Sequence, residues 1–372
     1  PKQVNVYQRS PTELVVWDAR PELGMGMHEM PDEQIDRVRE LGVRFVRHTL
    51  YWYQVEKTEE PGKYDAEHLA QWDDLVRRCE RQGLVLVVVV HGNPPGVSFA
   101  NRQAGYRRFA NFMGDMAKRY PQIRYWELWN EMEVAFTDLF GARNGVPMRE
   151  RGRLYAEMLK LAFPKIKAAN PEAWVLVGGM SDTDEFPRGI YEGGGREYFD
   201  LMNIHTYGVP VMWSFSARGQ RVRKIMEEFG DGDKPLWNTE FGIDAGNFVG
   251  AWSYPHSWTP PQKDDAFFDA EQRRQWEACL EKNRELGLYA KVLPYQFLAG
   301  NERDDDKQIK ERAQLPPGMT IDDYGFGIVR SDGKTPRPTY DWLLEQRVNR
   351  PIEQAPNLAT DVRFRPTTKA VP

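Results

Sequence analysis

Two hydrophobic patterns alternate along the chain. Short, apolar, β-branched runs recur at 23–28, 43–50, 84–91, 123–131, 174–180, 201–207, 235–241 and 290–298. The run from Leu84 to Val90 has no polar alternation, which marks a strand buried on both faces. Between the runs lie charge-rich amphipathic stretches. One opens at Pro31 and closes at Gly42, and another closes at Gly83. Proline at the start and glycine at the stop is the asymmetry of a helix. Further helices are predicted over 106–120, 149–170, 216–230, 270–287 and 339–347, whereas 186–200, with three consecutive glycines, reads as a poor helix. Eight strand–helix units predict an α/β fold with a parallel sheet, and specifically a (β/α)8 barrel. A doubly wound open sheet is the structural alternative. Long helical crossovers argue against an antiparallel sandwich.

The barrel accounts for residues 1–350 as one domain, with an N-terminal hairpin over 4–19 plugging its floor. Residues 351–372, punctuated by Pro351, Pro356, Pro366 and Pro372, read as an extended tail. Two long insertions, 244–269 and 300–338, follow strands seven and eight. Both fall on the face where barrel enzymes build their sites.

Composition narrows the function. Fifty basic against 55 acidic side chains leave a net charge of −5, so no nucleic-acid partner is expected. No apolar stretch approaches the ~20 residues of a membrane span, so no membrane partner is expected either. The two cysteines, Cys79 and Cys279, lie in helical stretches without metal-ligand spacing and are expected as free thiols. The chain begins at Pro1 without an initiator Met, which leads us to expect a secreted or periplasmic protein whose signal peptide has been removed. Aromatic residues reach 12%, with 12 Trp, enough for some to line a sugar-binding cleft as well as the core.

Polar residues where apolar strands run out carry the chemistry. Strand four ends in YWELWNEME and strand seven in PLWNTEFG, which puts Glu131 and Glu240 at the barrel mouth. Such a carboxylate pair suits glycoside hydrolysis, one carboxyl giving a proton and the other attacking carbon. The competing reading is that both are salt-bridge partners. Other motifs fail. GMGMHE lacks the third glycine of a dinucleotide loop, GKT at 333–335 lacks the P-loop's upstream glycine, and GGMSD at 178–182 lacks the last glycine of a nucleophile elbow.

These residues resemble clan GH-A glycoside hydrolases, especially families 5 and 39. Trp-Asn-Glu at 129–131 is similar to the clan's acid/base motif, and Thr-Glu-Phe-Gly at 239–242 to its nucleophile motif. WYQVEKTEEPGKYD at 52–65 and DYGFGIVRSDGKTPRPTY at 323–340 resemble two further clan segments. The resemblance implies a retaining O-glycoside hydrolase with Glu131 as general acid/base and Glu240 as nucleophile. It places Asn130 at the sugar 2-hydroxyl, Arg47 beside Glu240, and His91, His205 and Tyr207 around the same subsite. Arg47 could instead pair elsewhere in the wall, and His91 could be a core histidine. The acid/base should have a raised pKa. The sequence departs from the clan at Met132, where proline is common, and in PYQFLAG, which lacks the usual Trp platform. Gln296, Tyr295 or Trp258 could substitute. Trp52, Trp252 and Trp258 are the sugar-stacking candidates, while Trp126, Trp129 and Trp237 should pack around the carboxylates. No metal and no organic cofactor is implied, and the expected partner is a carbohydrate. Endo action on β-linked oligo- or polysaccharides is favoured over an exo-acting β-glycosidase. A non-catalytic carbohydrate-binding barrel and a metal-dependent hydrolase gathering His91 and His205 are the readings from other classes. The motifs leave the oligomeric state unread.

Overall fold

The structure is a computed structural model and describes residues 4–10, 13–18, 21–97, 102–134, 145–207, 211–243, 265–299, 326–330, 332–346 and 367–370. It opens with an antiparallel hairpin, β1 (Val4–Ser10) and β2 (Glu13–Asp18). The first predicted barrel strand comes in two pieces, β3 (Glu22–Leu23) and β4 (Met25–Gly26). They are split at Gly24, where an added Cβ would sit 2.6 Å from Leu293. The barrel then alternates α1 (Asp32–Glu40), β5 (Phe45–Tyr51), the short α2 (Trp52–Val55), α3 (Ala66–Arg81), β6 (Val85–His91) and α4 (Arg102–Arg119). Next come β7 (Tyr125–Leu128), α5 (Met148–Ala169), β8 (Trp174–Val177) and α6 (Glu185–Glu192). The last units are β9 (Met202–His205), α7 (Val211–Glu228), β10 (Leu236–Glu240), α8 (Asp265–Leu286), β11 (Lys291–Val292) and α9 (Pro338–Gln346). Finally β12 (Thr367–Ala370) lies antiparallel along β2.

The barrel strands run parallel in two sheets, β4-β5-β6-β7-β8 and β3-β11-β10-β9. One seam is the chain itself between β3 and β4. At the other, parallel bridges join Leu176 to Leu201 and Met180 to Ile204. This is the predicted (β/α)8 architecture, and each of the eight apolar runs contains a strand. The 186–200 segment differs from expectation, because its first half is helical. Phe186 and Ile190 sit one turn apart and bury against the core, and the three glycines follow the helix rather than break it. Gly189 and Gly152 bring α6 and α5 into backbone contact; a Cβ on Gly189 would lie 2.0 Å from the Arg149 carbonyl.

Strand side chains alternate between two environments. Val46, Leu50, Val88, Val90, Trp126, Leu128, Val175, Val177 and Ile204 face the helix layer in the main core. Phe45, Val85, Val87, Tyr125, Trp174, Leu201 and Trp237 fill the barrel floor, packed with Tyr7 and Val15 of the hairpin. An ionic knot ties the hairpin down. Asp200, fully buried, accepts from Arg9 at 2.5 Å and from the Val175 amide at 2.8 Å, and Lys167 lies 2.7 Å from it. So Trp237 belongs to the floor and Trp126 to the outer core, and neither packs around the carboxylates as expected. Cys79 and Cys279 are free and buried. Among the described residues, no helix is long and apolar enough to cross a membrane. The predicted tail up to residue 366 and the greater part of both mouth insertions lie outside the described residues.

Candidate active site

One step above the apolar floor, the inward positions become ionic. Arg47, on β5, forks onto Glu127 of β7, with Nε to Oε2 at 2.8 Å and Nη2 to Oε1 at 3.0 Å. Its Nη1 reaches Glu240 Oε1 at 2.5 Å and its Nη2 also donates to Asn130 Oδ1 at 2.7 Å. Burial disfavours the guanidinium charge, but Glu127 and Glu240 more than compensate and hold Arg47 protonated. A bidentate arginine fixes geometry as well as charge. Here it sets the first oxygen of Glu240 and turns the Asn130 amide so that its NH2 is left to donate.

Past Leu128 the backbone of the strand-four loop is strained. Trp129 has φ 76° and Glu131 φ 43°, left-handed values that cost a residue with a Cβ. The loop is pinned by Trp129 N to the Val90 carbonyl (2.9 Å) and Glu131 N to the Gly179 carbonyl (2.8 Å). This holds the Glu131 carboxyl over the barrel. Its Oε1 accepts from Ser181 Oγ at 2.6 Å and contacts His205 Nδ1 at 2.9 Å.

A bulge at the end of β10 places both Thr239 and Glu240 opposite His205, since the register shifts between Asn238 and Glu240. Tyr207 OH donates to Glu240 Oε2 at 2.7 Å, and His205 Nδ1 lies 3.5 Å from the same oxygen. His205 Nε2 lies 3.2 Å from Thr239 Oγ1, which itself lies 2.9 Å from Asn203 Oδ1. Thr239 can accept from Nε2 or donate to it, and Asn203, whose buried Nδ2 has no other partner, can take either role beside it. Burial works against a charge on His205, but Glu240 and Glu131 outweigh it and raise its pKa.

Glu131, His205 and Glu240 each offer an atom, all within 4.8 Å of one another. Oxygens this near each other bring the two carboxyls closer than the roughly 6.5–9.5 Å of inverting glycosidases and suit the closer pairs of retaining ones. The same three atoms could in principle ligate a metal. Arg47 and Tyr207 already occupy the oxygens of Glu240, and a guanidinium 2.5 Å away repels a cation. The donor set therefore fits acid–base chemistry.

The expectation of a raised Glu131 pKa is corrected. Burial pushes it up, but hydrogen bonds from His205 and Ser181 and the positive charge of His205 outweigh burial and bring it to about 2. His91 ends β6 half-buried, its ring edge-on to Tyr51 at 5.1 Å, and burial followed by Arg47 lowers its pKa to about 4. Trp52 is not at the mouth: it is fully buried between Phe109 and Phe112, with Nε1 on Glu56 at 2.6 Å. It starts α2 and turns back into the helix layer. Gln296 is also buried, and the neighbouring Tyr295 takes the mouth position instead, its ring against His28 (5.1 Å) and Phe326 (5.2 Å). Trp252 and Trp258 lie outside the described residues. Trp129 does stay near the site, 6.3 Å from His91.

Sequence reasoning missed five participants. Glu127 is visible only once β7 faces Arg47 across the interior. Ser181 lies in the GGMSD stretch, dismissed as a failed elbow. Glu133, two residues past Glu131, is buried beneath the same loop. Trp213, 68% exposed, follows strand six in the first turn of α7, and Tyr53, 43% exposed, follows strand two.

A family model described as cellulase, glycosyl hydrolase family 5, matches residues 20–272. The chain belongs to glycosyl hydrolase family 5. It is a retaining O-glycoside hydrolase, and its substrate is a carbohydrate. Comparison with curated proteins gives no match. Solved structures that resemble it share its barrel at low identity. A family 39 glycoside hydrolase from the gut symbiont Bacteroides cellulosilyticus WH2 is 20% identical with a TM-score of 0.62, over 93% of this chain and 71% of that one. A monomeric β-xylosidase from Caulobacter crescentus CB15 is 16% identical with a TM-score of 0.56, over 87% and 67%. The endoglucanase Cel5A of Pseudomonas stutzeri is 10% identical with a TM-score of 0.59, over 89% and 95%. At such identity the likeness speaks for the fold and not for the sugar.

Proposed function

We propose that this family 5 hydrolase cleaves β-linked oligo- or polysaccharides by double displacement, with Glu131 as acid/base and Glu240 as nucleophile. The observation that carries the reading is the 4.8 Å cluster of Glu131, His205 and Glu240 above Arg47. Glu240 is held at both oxygens, by Arg47 and Tyr207, with its attacking direction fixed. Asn130, turned by Arg47, offers its NH2 to the sugar 2-hydroxyl. The proton for the leaving group resides in the Glu131–His205 hydrogen bond. At rest it sits on His205 Nδ1, which is why Glu131 is ionised; transfer over 2.9 Å makes Glu131 the acid. Once the glycosyl-enzyme has formed, ionised Glu131 activates water.

Endo action is the reading supported by Tyr53 and Trp213. These exposed rings follow strands two and six, four strands apart around the ring, and suit a chain lying across the mouth. The deciding experiment is product analysis on β-linked glucans, mannans and xylans with wild type, Glu131→Ala and Glu240→Ala. Both variants should lose hydrolysis, and azide should restore turnover of Glu240→Ala with an inverted α-product. Full activity in either variant refutes the assignment, and release of monosaccharide alone refutes endo action.

A further inference from the structure

We propose that Glu133 is a positioning residue that holds Ser181 against Glu131. The inference rests on the acid/base reading of Glu131 given above. Glu133 does not face the cleft; its side chain is 1% exposed. Its Oε1 accepts from two consecutive backbone amides of the strand-five loop, those of Ser181 and of Asp182, the latter at 2.9 Å. Two successive N–H groups converging on one carboxylate oxygen form an anion nest. The residue whose amide is gripped is the one whose hydroxyl donates to Glu131 at 2.6 Å. Glu133 thus clamps the donor, not the acceptor.

The clamp is anchored from both sides. Arg151 of α5 donates to the Glu133 carbonyl, and the Val134 amide donates to the Glu131 carbonyl at 3.0 Å. Across the gap, Asp182 Oδ1 accepts from the Asp184 and Phe186 amides, at 3.1 and 2.7 Å, and so ties the Ser181 loop to the start of α6. Without Glu133, the part-buried amides of Ser181 and Asp182 would lose their shared acceptor, and the loop would have reason to move.

Only one oxygen of this carboxyl is engaged. Its second oxygen, Oε2, is buried without a hydrogen-bond partner. Burial, with the adjacent Glu131 charge adding to it, raises the Glu133 pKa to about 7. The fold tolerates a costly group here, one that serves a single pair of amides.

The test uses the full chain with Glu133→Ala, Glu133→Gln, Ser181→Ala and Glu131→Ala. Phenyl and 2,4-dinitrophenyl β-cellobiosides are the probes, since only the poorer leaving group needs an acid. In Glu133→Ala, a crystal structure should find Ser181 Oγ beyond hydrogen-bond reach of Glu131. The kcat/KM for the phenyl glycoside should fall ~10-fold, with the dinitrophenyl glycoside unchanged. Glu133→Gln keeps an acceptor oxygen and should restore contact and most activity, while Ser181→Ala should reproduce the selective loss. If Glu133→Ala does not fold, Glu133→Gln and Ser181→Ala still decide. An intact Ser181–Glu131 contact in Glu133→Ala overturns the proposal whatever the sugar preference. So does an equal loss on both probes, or a Ser181→Ala variant without selective loss. If Glu131→Ala itself hydrolyses the phenyl glycoside at the wild-type rate, the acid/base reading has failed instead.

Discussion

Gly179→Ala should disable this enzyme without touching a charged residue. Gly179 lies two residues past β8, and a Cβ there would stand 1.8 Å from His205 Nε2 and 2.4 Å from its Cδ2. Ordinary contact begins at 3.4 Å, so the imidazole would have to retreat by about 1.6 Å. It cannot do so freely, because His205 is fully buried. Its contacts to Glu131 at 2.9 Å and Thr239 at 3.2 Å would not survive such a shift. Overpacking costs ~1–3 kcal/mol, and a lost hydrogen bond to a charged group ~1.5–3 kcal/mol. A displacement of about 1 Å at a reacting group costs ~10²-fold in rate. We therefore expect kcat down ~10²-fold and stability down by ~3 kcal/mol or more, read by aryl-glycoside kinetics and urea unfolding. A double-mutant cycle isolates the cause. In the His205→Ala background the clash has no partner, so adding Gly179→Ala should cost little further stability. Wild-type kcat in Gly179→Ala, or an undiminished penalty in the His205→Ala background, would refute the packing argument.

Tyr207→Phe removes the 2.7 Å bond to Glu240, and kcat should fall ~10-fold while circular dichroism and Tm stay near wild type. Glu133 carries a pKa of about 7 in the fold against an ordinary 4.5. Between these values the native state holds a proton that the unfolded chain has released. Wild-type stability should therefore fall relative to Glu133→Gln as pH rises from about 4.5 to about 7, by up to ~3 kcal/mol in urea titrations. Parallel profiles for the two proteins would contradict that. Trp213→Ala should raise KM for a soluble polysaccharide several-fold and leave phenyl glycoside kinetics unchanged; equal effects would argue against a platform. Extended dialysis against EDTA should leave kcat intact, because Arg47 and Tyr207 already satisfy Glu240, and loss of activity restored by a divalent cation would overturn this.

What was legible in the sequence is what strands advertise locally. A barrel strand is apolar until its mouth end, so a charge at that end stands out. Glu131 and Glu240 stand out in this way, whereas Arg47, the third residue of β5, and His205 enter through the family resemblance. Glu127 does neither, because it sits inside an apolar strand with no local sign of facing an arginine 80 positions away. Trp52 misled for the converse reason: it follows a strand end, but α2 starts there and carries the ring back toward Phe109. Gly178 and Gly179 look like an elbow motif one residue short. Their real constraint is the space taken by the strand-four carbonyls and by His205, which the neighbouring strands bring near. The Glu131 pKa failed as an expectation because desolvation can be guessed from a strand end, whereas two hydrogen-bond donors from other strands cannot.

The charges of the mouth can be counted as one system. With the proton resting on His205 as proposed, the formal charges are positive on Arg47 and His205 and negative on Glu127, Glu131 and Glu240, and all five interlock through contacts of 2.5–3.5 Å. The sum is one negative charge. An oxocarbenium-like transition state develops positive charge on the sugar, and a fixed net negative field stabilises it without reorganisation. Shifting the proton from His205 to Glu131 leaves that sum unchanged. The acid step then requires no ion to enter from solvent, only movement within a hydrogen bond already formed. Sharing the proton across the pair lets one carboxyl serve both steps. It also explains why so much of the surrounding structure, from the Gly178–Gly179 pair to Thr239, is devoted to holding one imidazole still.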